Sequence, residues 1–259
     1  MLRSEGPLDR GELEAFVRDG FVALRRAIPS GVVDRCRAEL WEQLAEAPDR
    51  PETWTEPSVR LVPPRTPAFA EAGHTAALHG AFDQLVGPGR WGSDPFLSGT
   101  VVVRFPVAVE PGDAGWHADA GFVRDGVLSL DARSTGRSLL LLVLLSDTGP
   151  DDAPTRIRVG SHRDVAPVLA AAGAAGRSFL DVVPHLTELD ERPLALATGA
   201  AGDVYLCHPF LVHAAQANHG VGPRFLAQPG LTFTDPTGLR PDRPEPERSP
   251  IEAAIAADG

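Results

Sequence analysis

The strongest constraint on the fold lies in the second half of the chain, where short runs of β-forming residues recur with turn-rich segments between them. The runs cover residues 98–105, 139–145, 155–159, 203–213 and 224–234. Strands of this length cannot bury an apolar face singly, and spaced with turns between them they point to a sandwich or a barrel. At 259 residues and 43% hydrophobic, the chain is long enough for one sizeable core. The expectation is a mainly β fold with flanking helices in one domain over residues 1–259. An N-terminal helical and loop region (1–90) leads into the barrel core (91–235), which carries a helical insertion near 164–189. A tail follows at 236–259.

Local signals place the helices. Asp9 can cap a first helix with Glu12 three residues on, Leu8 and Leu13 can form a staple across its start, and Gly20 marks its stop. A second helix is expected from about Val32 to Ala45, because Val33, Cys36, Leu40 and Leu44 recur at helical spacing after Ser30. Both helices are expected outside the main core. Residues 48–75 are rich in Pro, Arg, Thr and Glu, which suits an ordered irregular loop or a lid, with Trp54, Arg60 and Arg65 as its lining or its anchors. A third helix around 76–86 closes this part. The tail at 236–248 is too proline-rich for regular structure.

Composition removes several function classes. The net charge is -11, from 35 acidic residues against 24 basic ones that are all Arg. Without a basic run the chain lacks the electrostatic footprint of a nucleic-acid binder, and anionic lipid would repel it. The first residues show no apolar signal core, and the aliphatic run at 139–145 is too short to span a bilayer, so a cytoplasmic location is expected. Cys36 and Cys207 stand far apart with no C-x-x-C spacing, which suits two buried thiols.

Chemistry concentrates at GWHADAG, residues 115–121. Residues two apart on a strand project from one face, so His117 and Asp119 can point at one ion. A second His-x-Asp, His162 and Asp164, sits where Ser161 or Asp164 can cap a following alanine-rich helix, and reads as a decoy. A third ligand must come from another segment, with His74, His79, His185, His208, His213 and His219 as candidates. The segment 203–214, DVYLCHPFLVHA, is the most strand-like one to carry any. His208 and His213 have opposite parity there, so one at most faces inward unless Pro209 introduces a bulge. Spacing alone does not choose; Arg224, returned by a hairpin, tips the choice to His213.

Two His and one carboxylate leave coordination positions open, the arrangement of non-haem Fe(II) oxygenases, whereas structural zinc sites are closed. A buried Arg224 adds a planar partner for a carboxylate, and the pair suggests 2-oxoglutarate as cosubstrate with O2 as oxidant. Arg104 is a second candidate, for the 2-oxoglutarate C1 carboxylate or the substrate, though an ordinary edge-strand Arg reads equally well. Trp116 leans towards packing. Two rivals remain: the same barrel with Zn, Mn or Ni acting as a Lewis-acid isomerase or hydrolase, and a ligand-binding barrel without turnover.

The ordered segments LEAFVRDGFVALRRAIP, LVGPGRW, RFP before GWHADAG, DAPTRIRVGSHRDV, GDVYLCHPFLVHAA with Arg224, and SPIEAAI span nearly the whole chain. Together they resemble the phytanoyl-CoA dioxygenase family of Fe(II)/2-oxoglutarate oxygenases. The resemblance implies a double-stranded β-helix, a jelly-roll or cupin-like barrel, with His117, Asp119 and His213 as iron ligands and Arg224 as the 2-oxoglutarate anchor. It implies that GSHRD lies outside the metal shell, and that the reaction is most simply hydroxylation of a small metabolite or natural-product intermediate. Many relatives carry a Ser two residues after the distal His, and here that position is Ala215, so another hydroxyl substitutes or Arg224 carries more of the binding. Related halogenases replace the acidic ligand with a small residue; Asp119 disfavours halogenation. The prime substrate and the oligomeric state are not written in these motifs.

Overall fold

The computed structural model describes residues 6–119, 121–186 and 189–256. The expected signal-free start, the end of the alanine-rich insertion and the last of the tail fall partly on residues 1–5, 187–188 and 257–259, outside the described residues. The chain opens with α1 (Arg10–Asp19), β1 (Phe21–Leu24), α2 (Ser30–Trp41), β2 (Ser58–Leu61), α3 (Pro67–Gly73) and α4 (Ala76–Leu85). It continues through β3 (Trp91–Ser93), β4 (Thr100–Arg104), β5 (Phe122–Arg124), β6 (Val127–Leu130), β7 (Leu139–Leu144), β8 (Arg156–Arg158), α5 (His162–Ala172) and β9 (Arg177–Ser178). The last elements are β10 (Leu194–Leu196), β11 (Val204–Cys207), β12 (His213–Ala214), β13 (Arg224–Gln228), β14 (Gly230–Phe233) and α6 (Pro250–Ala253).

Among the described residues β7 organises the barrel. It pairs with β11 on one edge and with β13 and then β14 on the other, inside an eight-stranded sheet ordered β1-β11-β7-β13-β4-β2, with β3 on β14. All six of its residues are buried, which explains its unbroken aliphatic sequence. Leu139, Leu141 and Val143 face the helices, whereas Leu140, Leu142 and Leu144 face the barrel interior. That interior is shared with Ile157 and Ala195 from a second sheet, β10-β8-β12, so two sheets face each other across it in a double-stranded β-helix.

Helix α1 follows its sequence signals: Asp9 and Glu12 close a reciprocal capping box, and Gly20 ends the helix at φ +85°. Its placement does not follow the expectation. Leu13 and Phe16 of α1, with Val33, Cys36 and Leu40 of α2, are fully buried in the core cluster on the outer face of the large sheet. Trp41 lies edge-on to Phe225 at 5.2 Å and Phe105 at 6.2 Å. Each such side chain buried contributes about 1.5–3 kcal/mol, so these helices are part of the core rather than outside it. Helix α2 also ends at Trp41 instead of Ala45, where i to i+3 bonds at Gln43 and Leu44 tighten the chain into a turn.

Five further expectations need correction. Residues 48–75 hold β2 and α3, because β2 finds a partner in β4 that a local reading cannot see. The run 203–213 is two strands in different sheets: β11 ends at Cys207, a turn closes with Leu211 N donating to His208 O, and β12 joins β8. The run 224–234 likewise divides at Pro229 into β13 and β14. The alanine-rich insertion is helical only to Ala172, after which it becomes 3-10 turns and β9. Neither Ser161 nor Asp164 caps α5 by its side chain: the Ser161 hydroxyl accepts from Val212 N at 2.8 Å, and Asp164 pairs with Arg192. Both cysteines are buried free thiols, and no described helix is long and apolar enough to cross a membrane.

Candidate metal and anion site

One mouth of the barrel interior is polar. Along β4 and β13 the side chains alternate: Val101, Val103, Phe225 and Ala227 pack beneath the helices, while Val102, Arg104, Arg224, Leu226 and Gln228 line a cavity of about 160 Å³. His117, Asp119 and His213 line the same cavity from the opposite side, with Thr155 and Ala215 beside them.

The two histidines are joined by backbone. His117 and His213 form an isolated antiparallel bridge, exchanging hydrogen bonds of 3.0 and 2.9 Å. His117 is therefore held by a single bridge rather than a regular strand. The His117 Nδ1 lies 2.9 Å from Gly115 O, and the His213 Nδ1 lies 3.0 Å from Leu211 O. A carbonyl can only accept, so each Nδ1 carries the proton and each Nε2 keeps a lone pair. Both Nε2 atoms stand 3.6 Å from Asp119 Oδ1, and the three ligand atoms all lie within 4.8 Å of one another. Those gaps exceed a hydrogen bond, yet metal bonds of about 2.0–2.2 Å to nitrogen and oxygen would span them.

His213 is 2% exposed and its Nε2 has no hydrogen-bond partner, a buried lone pair aimed at the carboxylate. Burial holds its pKa below the ordinary histidine value, against the pull of Asp119. Neutral, unpartnered nitrogen beside a carboxylate is the donor set an N/O-binding divalent metal requires. Arg137 Nη1 reaches within 3.6 Å of Asp119 Oδ2 from the segment after Gly136. A Cβ at Gly136 would meet Gly121 O at 1.6 Å, so only glycine lets these two stretches close around the carboxylate.

Across the cavity, Arg224 and Arg104 are direct cross-strand partners, each 2% exposed. Arg104 donates through Nη2 to both Asp113 oxygens at 2.7 Å, and Arg60 on β2 reaches the same carboxylate at 2.9 Å. Among the described residues Arg224 has no carboxylate partner, and its Nε and Nη1 are buried without hydrogen bonds. Burial first, then Arg104, lower its pKa to about 9, with Asp113 opposing, so it remains a cation at neutral pH. A buried cation without a counter-ion is costly, and the cavity beside it calls for an anion.

Several expectations change in detail. Arg224 arrives from the large sheet facing β12 across the cavity, not by a hairpin return from β12. Arg104 is not an edge residue, since β4 lies between β13 and β2. Trp54 and Arg65 are anchors: the Trp54 indole donates to Ala47 O, and Arg65 pairs with Asp94. His162 and His208 lie together in the outer core, and His208 uses both ring nitrogens, on Ile251 O and Phe210 N. His74 and His79 bond to each other, and His185 bonds to Arg177. His219 is exposed and belongs to no metal-ligand group among the described residues. Asp113, Thr155 and Arg137 were not legible as site residues. Asp113 sits in PGDAG and reads as a turn, and the other two have no local motif.

The phytanoyl-CoA dioxygenase (PhyH) family matches residues 16–226. The chain is similar to the ectoine dioxygenase of Halomonas elongata, 23% identical over 245 residues, covering 85% of this chain and 69% of that protein. Among solved structures it is similar to HygX from Streptomyces hygroscopicus with nickel, 2-oxoglutarate and hygromycin B bound: 25% identity, 90% of each chain, TM-score 0.54. It is also similar to EctD from S. alaskensis with 2-oxoglutarate and 5-hydroxyectoine: 20% identity, 96% of this chain and 87% of that one, TM-score 0.63. With its family matched over most of its length, the chain belongs to the phytanoyl-CoA dioxygenase family.

Proposed function

We propose that this protein is an Fe(II)- and 2-oxoglutarate-dependent dioxygenase that hydroxylates a small metabolite or natural-product intermediate, with His117, Asp119 and His213 holding the iron and Arg224 holding the cosubstrate. The observation that carries the reading is one cavity with an unpartnered His213 Nε2 next to Asp119 on one wall and an unpartnered buried Arg224 on the other. When bound, iron and 2-oxoglutarate together with O2 supply the oxidising power, releasing succinate and carbon dioxide.

The protein's own groups bind, orient and shield. Asp119 brings the negative charge that favours a dication, and the two carbonyl-bound Nδ1–H groups fix both rings for binding through Nε2. Arg224 would hold the distal carboxylate, with Arg104 beside it, whose Nε and Nη1 also lack partners. Thr155 brings a hydroxyl to the same cavity as Ala215 and stands in for the one absent there. Val102 and Leu226 exclude water from the space between. A Zn, Mn or Ni Lewis-acid enzyme needs no buried dicarboxylate anchor such as Arg224, and the intact group of His117, Asp119 and His213 argues against a barrel that only binds, which succinate production would exclude. The acidic surface and the small cavity suit a soluble small-molecule partner in the cytoplasm, rather than nucleic acid or membrane.

An anaerobic titration of metal-free protein with Fe(II) and then 2-oxoglutarate tests this. A weak visible charge-transfer band should grow with 2-oxoglutarate, disappear in Asp119→Ala and weaken in Arg224→Ala. One equivalent of bound metal with no band would sink the 2-oxoglutarate assignment and return the weight to a redox-inert metalloenzyme.

A further inference from the structure

Arg156 at the start of β8 touches neither cavity nor ligand, yet it joins the two segments that carry the histidines. Its Nη2 donates to Ala114 O at 2.7 Å and to Ala215 O at 2.8 Å, and its Nε donates to Ala215 O at 3.2 Å. Ala114 lies just before His117 and Ala215 just after His213. The guanidinium also covers the Trp116 ring at 4.9 Å, with Arg158 at 4.6 Å from the same ring.

The two segments differ in how they are held. His213 and Ala214 are paired to β8 through Ile157 and Arg156, whereas His117 has only its single bridge to His213. The stretch 114–116 therefore depends on side chains: Arg156 on Ala114 O, and Asp113 on Arg104 and Arg60. Gly115 O in turn orients His117 through Nδ1, so a shift at Ala114 or Gly115 reaches the ligand ring directly. Arg156 makes no carboxylate pair, while burial and Arg158 both weigh against its charge. A guanidinium kept there with no counter-ion among the described residues is explained by what it does at once: Nη2 donates to both carbonyls, Nε adds a second bond to Ala215 O, and the plane lies on an indole.

We propose that Arg156 is a positioning residue for the metal centre, bracing segment 114–117 against β12 so that His117 meets Asp119 and His213 at ligand geometry. The inference rests on the metal-site reading above. Co(II) alone, titrated into metal-free protein and followed by its visible absorption, tests it together with the melting temperature of the metal-free form. Arg156→Gln should weaken Co(II) binding about tenfold or more, the scale on which groups supporting metal ligands act. Arg156→Lys, which loses the Nε bond to Ala215 O and the planar cover of Trp116, should fall between Arg156→Gln and wild type. Arg158→Gln is the control: it loses its own contact with the Trp116 ring and its bonds to Asp190 and Arg192 O, and should leave Co(II) binding unchanged. Wild-type Co(II) affinity in Arg156→Gln, with or without a lower melting temperature, would overturn the proposal. If that variant does not fold, wild-type affinity in Arg156→Lys overturns it equally. A wild-type protein that binds no Co(II) removes the metal site itself, an outcome distinct from either.

Discussion

His117 with His213 and His162 with His208 are histidine pairs at nearly the same ring separation, and of the two only the first has a carboxylate oxygen facing both rings. His117 and His213 have centroids 4.5 Å apart, and His162 and His208 are 5.1 Å apart. In the first pair each Nδ1 is fixed on a carbonyl while Asp119 stands 3.6 Å from both Nε2 atoms. The second pair has no such carboxylate. Asp164 is held by Arg192, and His208 spends both nitrogens on backbone. His162 Nδ1 is also unpartnered, but it abuts Gly20, where an added Cβ would sit 2.4 Å from it, and no metal-ligand group among the described residues includes it. Proximity of imidazoles is therefore a weak signal. A nearby carboxylate, a free lone pair and open space make the difference.

The comparison breaks most sharply by mutation of each pair. Asp119→Ala should weaken metal binding by more than about 100-fold, since even groups that merely support ligands are worth about 10–100-fold. His208→Ala should leave metal affinity intact and instead cost about 2–3 kcal/mol in urea unfolding, as a buried ring lost from a packed core. Equal metal affinity in the Asp119→Ala protein would erase the distinction between the pairs.

Arg224→Met keeps most of the side-chain volume and removes the charge. It should raise the Kd for 2-oxoglutarate about 30-fold or more, on the roughly 2–5 kcal/mol that a buried charged partner is worth, while metal binding alone stays unchanged. Calorimetry with each ligand separately would show whether the two walls of the cavity act independently.

The outer pair should reveal itself through pH. Burial lowers His162 to about 4 and His208 well below its ordinary value of 6.5. Between about pH 6.5 and 4 the unfolded chain binds a proton that folded His162 refuses, so stability is complete above that window and lost as pH falls through it. For His162 the loss is roughly 3 kcal/mol. Unfolding free energies that rise on acidification across this range would contradict a neutral buried pair. The smallest effect expected is for Gly20→Ala, which places a Cβ at φ +85° against His162. It should cost about 1–3 kcal/mol and leave metal affinity untouched, checked by melting temperature and Co(II) titration.

Much of the local architecture was legible because its causes are local. The capping box at Asp9 and Glu12, the stop at Gly20, the apolar run of β7 and the close pairing of His117 with Asp119 all depend on residues a few positions apart. Arg224 tipped the choice of His213 over His208, which parity left open, and the family motifs in their order implied the same residue. Tertiary structure alone decided the rest. The chain leaves one sheet at Cys207 and joins another at His213, so parity along 203–213 had no single strand to act on. β2 exists because β4 offers it an edge, and the first two helices belong to the core because the outer face of the large sheet is apolar. The anion side of the cavity joins β2, β4, β13 and the loop bearing Asp113, residues more than a hundred positions apart. Their meeting depends on which strands pair, and strand pairing is settled by how the whole apolar surface is buried, not by any short stretch of sequence.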